Sequence, residues 1–329
     1  MKKTLIPIFV LCLVLCSCTE KTELSGSFIC GEADAYAVCD NGLLTAGPGS
    51  VKCFSGAGEK TFELKLELKP AHIAQGGASA AAYAEGGRSV VYSDGEAIST
   101  DNDIICAELS EKGCLALCTK EPGYMGSVTV YSPEKEPLYK WYCAKQRLIS
   151  AAVSPDSERL AVLTDEGIRL FSLDSEKERG FFECAGLRDI VWLGERVCGI
   201  GERGAYVCGD EGKNCGKREF SGKITGEFGV LDKKLIIEVR EHASGGVGDV
   251  YILDDGLDIK GRISPGGELW SLDCRDKQIA ILTQNGVGVY SDKAKILLSE
   301  KASGAKEVLL TDKGDVIAAG GGSVWGIEK

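Results

Sequence analysis

The chain reads as all-β, a single ring of eight four-stranded units, with seven the alternative count. Three observations predict this. First, one short pattern returns eight times: a glycine, an alternating strand, and a large residue that closes the strand. The copies are Gly49-Ser-Val-Lys-Cys-Phe54, Gly87-Arg-Ser-Val-Val-Tyr92, Gly126-Ser-Val-Thr-Val-Tyr131, Gly167-Ile-Arg-Leu-Phe171, Gly204-Ala-Tyr-Val-Cys208, Gly248-Asp-Val-Tyr-Ile-Leu253, Gly286-Val-Gly-Val-Tyr290 and Gly322-Ser-Val-Trp-Gly-Ile327. Second, the closing residues lie 38, 39, 40, 37, 45, 37 and 37 positions apart. Third, no stretch sustains the 3.6-residue apolar period of a helix. A fixed period of this size with strand-like units is the signature of a β-propeller.

The N-terminus reads as an address. Lys2 and Lys3 precede an apolar run from Leu5 to Leu15, too short to span a bilayer as a helix. The end of that run, Leu15-Cys16-Ser17-Cys18, resembles the bacterial lipobox. In that family the acylated cysteine follows a small residue, with leucine two places further back. Cys18 fits with Ser17 and Leu15, whereas Leu15 and Leu11 precede Cys16 and Cys12. The resemblance implies a signal peptide over 1–17 and a lipid on Cys18. An ordinary cleaved signal or a membrane anchor is the alternative. A lipid there would anchor the protein to a membrane without spanning it, on the outer face of the cytoplasmic membrane, or on an outer membrane if the cell has one. Thr19 stands where that family places aspartate to mark inner-membrane retention. The tether, 18–25, is short enough to hold the folded body close to the lipid.

The propeller is expected over 26–329. Residues 26–31, Gly-Ser-Phe-Ile-Cys-Gly, form a strand with no unit of their own, and the eighth copy has no outer strand. Joining the two would close the ring and remove an exposed edge. One unit can be followed in full. Leu148 to Val153 is the inner strand. Ser154-Pro155-Asp156 begins a turn, in which proline pre-sets φ and aspartate bonds its own backbone. Leu160 to Thr164 is the second strand, Gly167 to Phe171 the third, and Arg179 to Cys184 the outer one. Second-strand anchors recur at Cys114, Leu160, Val197, Leu235, Ile279 and Val316.

These anchors single out two places. From Leu160 to Phe171, Val197 to Cys208, Ile279 to Tyr290 and Val316 to Ile327 the distance is 11. From Cys114 to Tyr131 it is 17, and from Leu235 to Leu253 it is 18. Units 3 and 6 thus carry about six and seven extra residues between second and third strands. Surface turns absorb insertions at little cost in stability, and exposed loops on a rigid frame carry recognition. The candidate partner-binding residues are therefore Glu121, Tyr124 and Met125 in unit 3, and Glu241 and His242 in unit 6.

Composition narrows the function. The formal charge is -11, and removal of Lys2 and Lys3 makes it -13. Such a surface repels nucleic acid. His72 and His242 are the only histidines, too few for a histidine metal site or a shared triad. Ser55-Gly56-Ala57-Gly58-Glu59-Lys60-Thr61 fails as a phosphate loop because Glu59 breaks the spacing and no helix follows. Gly245-Gly246-Val247-Gly248 precedes a strand, which excludes a dinucleotide fingerprint. Asp254-Asp255, Asp273, Asp276 and Glu241 are read as turn carboxylates. No metal or cofactor is expected. Of 15 cysteines, Cys12 and Cys16 leave with the signal and Cys18 takes lipid, so 12 remain. Cys39, Cys114, Cys143, Cys198 and Cys208 stand where a strand would place Val or Ala, so buried free thiols are expected. If a disulfide forms, Cys208 with Cys215 is the best pair.

The Ser154-Pro155-Asp156 turn before Leu160-Ala161-Val162 resembles the repeat signature of the WD-like and quinoprotein-like propeller superfamily. No Trp-Asp pair occurs, but Trp141, on the outer strand after Tyr131, resembles the tryptophan-docked quinoprotein blades. In layout, residues 26–329 resemble a family of uncharacterised propeller lipoproteins and membrane-anchored proteins of anaerobic Gram-positive bacteria. That resemblance implies a propeller held at a membrane. The propeller lipoprotein that helps assemble outer-membrane barrels is a fold-level analogue that works by binding. The expected function is a non-catalytic binding or scaffolding module at the cell surface, with an unidentified protein or glycan partner. The alternative is a quinone-dependent or carbohydrate-active propeller enzyme. The channel discriminates them: a scaffold should line it with small apolar inner strands such as Leu148-Ile-Ser-Ala-Ala-Val153, an enzyme with converging charges.

Overall fold

A computed structural model gives the architecture. It describes residues 26–66, 70–175, 177–209, 211–242 and 245–327, with backbone alone at 225–227. The predicted signal, Cys18 and the tether lie outside the described residues. The described chain forms eight antiparallel sheets of four strands each. Seven are consecutive in sequence, running Ala35–Lys65, Ala71–Ser99, Ile104–Cys143, Leu148–Glu183, Leu187–Glu219, Lys223–Ile263 and Leu269–Glu300. They are numbered blades 1 to 7.

Blade 8 is composite. Glu307–Leu310, Val316–Gly320 and Ser323–Ile327 supply its inner three strands, and Ser27–Ile29 supplies the outer one. Ser27 lies opposite Trp325, and Ile29 opposite Ser323. The amides of Cys30 and Gly31 both donate to the Gly322 carbonyl, at 2.9 and 3.0 Å. Phe28 packs against Phe54 of blade 1, with centroids 5.4 Å apart. The N-terminal strand therefore closes the ring, as the leftover pieces predict.

The recurring glycine has a steric cause. Gly167 and Gly286 open third strands at φ +151° and +131°. A Cβ on either would lie 2.1 Å from the Phe182 carbonyl oxygen or 2.2 Å from that of Glu300. Only glycine lets the outer strand come so close. The closing residue is needed at the other end. Phe171 is buried against Tyr139 and Trp141 of blade 3, at 6.1 and 5.2 Å. Each sheet face thus buries its apolar set against the next blade, and the core is a circle of such interfaces. The Ser-Pro-Asp turn is tied locally. The Asp156 carboxylate accepts from Ser154 Oγ, from the Glu158 amide at 3.1 Å and from Arg159 at 2.8 Å. The Arg159 guanidinium then lies 5.0 Å over the Trp192 ring of blade 5.

Five of the six anchors face their closing residues in the ladder: Leu160 with Phe171, Val197 with Cys208, Leu235 with Leu253, Ile279 with Tyr290 and Val316 with Ile327. The sixth differs. Tyr131 pairs with Leu115, and Cys114 lies in the turn before that strand. The blade 3 interval is therefore 131 − 115 = 16, which makes five extra residues, not six. Two adjacent apolar residues offered two registers; the Ser110 amide donates to the Cys114 carbonyl and the Ser110 hydroxyl accepts from the Cys114 amide, which holds Cys114 in the turn.

All 12 cysteines among the described residues are free. Cys208 and Cys215, the best pair had a disulfide formed, are unbonded, with Cys215 exposed. The structure brings other thiols together. Cys106 and Cys118 are direct partners across the inner pair of blade 3. In blade 1 the neighbouring Cys39 thiol holds that of Cys53 below the usual thiol range.

Candidate functional site

Antiparallel order fixes which turns share a face. Inner–second and third–outer turns open on the lower face. Second–third turns and the links between blades open on the upper face.

The lower mouth of the channel holds a cavity of about 660 Å³. Its wall includes Glu108, Trp192, Phe228, Asp273, Arg275 and Asp312. Five of these six stand on inner strands, which line the axis, and Asp312 lies in the turn after the inner strand of blade 8. Arg275 holds Asp312 at 2.9 Å. Asp273 accepts from the Leu310 amide of blade 8 at 2.7 Å, linking two inner strands. Burial raises its carboxyl above the usual range. Burial, then the nearby charge of Asp189, pushes Glu108 up to about 8. The expectation of a small apolar channel holds at Ala152 and Val153 of blade 4 but fails at Glu108 and Asp273. Asp273 is also an inner-strand residue, not the turn carboxylate expected from sequence. Among the described residues no three His, Cys, Asp or Glu side chains are grouped as a metal site would require.

On the upper face, the long turn of blade 3 builds a second hollow of about 390 Å³. Three of the sequence-predicted residues, Glu121, Tyr124 and Met125, line it together. The opposite wall is Arg88, Asn102 and Asp103, from blade 2 and the link that follows it. Asp103 accepts from Arg88 Nε at 3.2 Å and from Lys120 Nζ at 3.3 Å, and these contacts hold its carboxyl below the usual range. Glu121 accepts from Lys140 and from Ser127 Oγ, both at 3.0 Å, with the same effect on its carboxyl. The turn is fixed by its own backbone. The Tyr124 amide donates to the Glu121 carbonyl at 3.0 Å, and the Met125 amide to the Cys143 carbonyl at 2.8 Å. Tyr124 is 47% exposed and Tyr142, on the outer strand, 43%. Their rings stand 4.9 Å apart at 37°, and Lys140 Nζ lies 4.7 Å over Tyr142. Sequence reasoning missed Tyr142, Arg88 and Asp103; only the alternation of Tyr142 with Lys140 on an outer strand could have signalled the ring.

The blade 6 turn is different. Glu241 and His242 are exposed there. Its chemistry turns inward. Arg240 Nε donates to Glu238 Oε1 at 2.8 Å, Nη1 to Glu268 at 3.2 Å and Nη2 to the Leu269 carbonyl at 2.7 Å. The Glu238 side chain has no exposed surface. Gly248 leaves room for the pair, since a Cβ there would lie 2.8 Å from Glu238 Oε1. The signal for this pair was present: Glu238 and Arg240 are two apart in an apolar strand and so share one face. Blades 4 and 5 stand between the two long turns. Tyr124 and His242 therefore occupy separate places round the rim, not one patch.

A protein-family model described as a family of unknown function (DUF5711) matches residues 21–164. That span ends with the second strand of blade 4. No curated protein matches the chain. Among solved structures, BamB from Moraxella catarrhalis is similar at 12% identity and a TM-score of 0.57, over 93% of this chain and 100% of that one. A chain of the mitotic checkpoint complex is similar at 12% identity and a TM-score of 0.54, over 82% of this chain and 100% of that one. At such identities the likeness shows a shared β-propeller fold.

Proposed function

We propose that the protein is a non-catalytic binding or scaffolding module, anchored through a lipid on Cys18 to the extracytoplasmic face of a membrane. The observation that carries the binding half is the blade 3 turn. It sets two half-exposed tyrosines beside a charged hollow on a turn held by the backbone bonds of Lys120, Tyr124 and Met125. Rigid aromatic side chains contribute most to recognition because little freedom is lost on contact. The anchoring half is supported by the Leu15-Cys16-Ser17-Cys18 sequence. The shared fold with BamB and with a chain that sits inside a multi-protein complex supports a role in holding partners.

Two experiments test these halves separately. Replacing Lys120–Gly126 with the Asp165-Glu166 turn of blade 4 should abolish recovery of the native partner while leaving the fold intact. Unchanged recovery would sink the binding reading. Cys18→Ala should lose incorporated palmitate and leave the membrane fraction; continued acylation would refute the anchor.

A second reading, a carbohydrate-active enzyme, draws on Glu108. A carboxyl that keeps its proton to about 8 inside a cavity can act as a general acid. Reducing-sugar release by the wild type that Glu108→Gln abolishes would establish it.

A further inference from the structure

We infer that the hollow beside the blade 3 turn is a glycan-binding site for a short, uncharged stretch of saccharide. The inference rests on the binding reading above and names its ligand class.

Three features point to sugar. The first is the pair of ring faces. Tyr124 lines the hollow; Tyr142 stands 4.9 Å from it at 37°, with Lys140 over its ring, and both residues remain about half exposed. An aromatic face is electron-rich, and one face of a pyranose presents C–H groups with slight positive charge, so the two attract. The second feature is the polar wall. Arg88 and Lys120 are balanced by Asp103 and Glu121, so the four charged groups lining the hollow sum to zero. Each still has capacity to spare. A carboxylate has about four lone-pair sites and a guanidinium five N–H groups. A row of sugar hydroxyls, each both donor and acceptor, suits a wall that offers both at no net charge. Asn102 adds one side chain that does both. The third feature is size and stiffness. About 390 Å³ falls in the range of small-ligand pockets and is too small for a docked helix. The backbone bonds of Tyr124 and Met125 set the turn before any ligand arrives.

The hollow exists because of the insertion. The second-to-third turns of blades 1, 4, 5, 7 and 8 span two residues, as Asp165-Glu166 does. They could not carry a tyrosine across to the outer strand.

The test uses the full chain against arrayed neutral and acidic short oligosaccharides. The best neutral one is then titrated by calorimetry. At least one neutral oligosaccharide should bind. Tyr124→Ala and Tyr142→Ala should each weaken it about tenfold, a loss of about 1.4 kcal/mol, with the melting temperature unchanged. Tyr124→Phe should bind nearly as well, because the ring face is kept. Binding by none of the neutral oligosaccharides would overturn the inference, as would binding indifferent to both tyrosines. Binding confined to acidic oligosaccharides and lost on Arg88→Ala would also overturn it, by assigning an anion site. Peptides enriched from a display library on the same face, and lost on Tyr124→Ala, would replace glycan with peptide and leave the binding reading standing. Partner recovery lost on shortening the turn, with no sugar bound, separates the failure of this inference from that of the function.

Discussion

In blade 3 the long second-to-third turn sends its chemistry out to solvent, whereas the corresponding turn of blade 6 begins by sending an arginine in. Glu121 and Lys140 pair at the surface with Tyr142 beside them. Arg240 instead closes over Glu238, which has no exposed surface. Excess length alone marks where a fold tolerates variation. What the length is used for depends on whether the residue five places after the anchor, Lys120 after Leu115 and Arg240 after Leu235, continues the buried face. Arg240 does so, because Glu238 two places earlier already points inward. Lys120 does not; its ammonium reaches Asp103 at the surface.

The sharpest way to break this contrast is to remove the cation from each of these two pairs. Arg240→Ala strands a buried carboxylate and should cost about 3–5 kcal/mol in urea unfolding. Lys140→Ala removes a partly exposed pair and should cost about 1 kcal/mol or less. Equal losses would show that the blade 6 pair is no more buried in effect than the blade 3 pair.

A second contrast lies at the axis. Glu108 of blade 3 pairs with Ala116, next to the Leu109–Leu115 pair, and Gly229 of blade 6 holds the same ladder place beside Val230 and Leu235. Of these two blades only blade 3 carries a titratable side chain there; blade 7 does so as well, with Asp273 opposite Ala280. The ordinary value of 4.5 is raised to about 8 in the folded state. Between those values the native protein binds more protons than the unfolded chain, so stability falls as pH rises through that window. The slope is at most about 1.4 kcal/mol per pH unit. Below the window the group adds nothing, and above it the penalty is complete. Glu108→Gln should flatten the fall measured by denaturant titration from acid to mildly alkaline pH. A slope the same in both proteins would remove Glu108 as its cause.

The smallest effect should be Tyr124→Ala. A half-exposed ring on a turn should change stability by within about 0.5 kcal/mol. A larger loss would mean that the blade 3 turn, like that of blade 6, serves the fold.

The ring was legible because its repeat is enforced by sterics. Glycine at the third-strand start and a large residue at its end leave few registers, and five anchor pairs follow from counting alone. Leu115 was hidden by Cys114, an equally apolar neighbour. Glu121, Tyr124 and Met125 could be found by length. Arg88, Asn102 and Asp103 could not, since they arrive from the preceding blade, and nothing in 119–126 names them. The carboxylates of the channel were unreadable for a related reason. Asp273 resembles a turn residue until the ring closes and places it beside the Leu310 amide. Cys106 and Cys118 became neighbours through the register of one strand pair, which a scan for close Cys spacing does not see.

The clasp made by Ser27–Ile29 also sets a timetable. Ser27 meets Trp325 across 325 − 27 = 298 residues. On a ribosome the first of these is made long before the second exists. Seven sheets can form as they emerge, each from its own contiguous stretch, but the eighth must wait for the last to be made. Until then Ser323–Ile327 offers no edge to pair with, and the opening strand has nowhere to go. Contacts at such separation are the slow ones in folding. Ring closure is therefore the step that a chaperone, or simply time, has to cover.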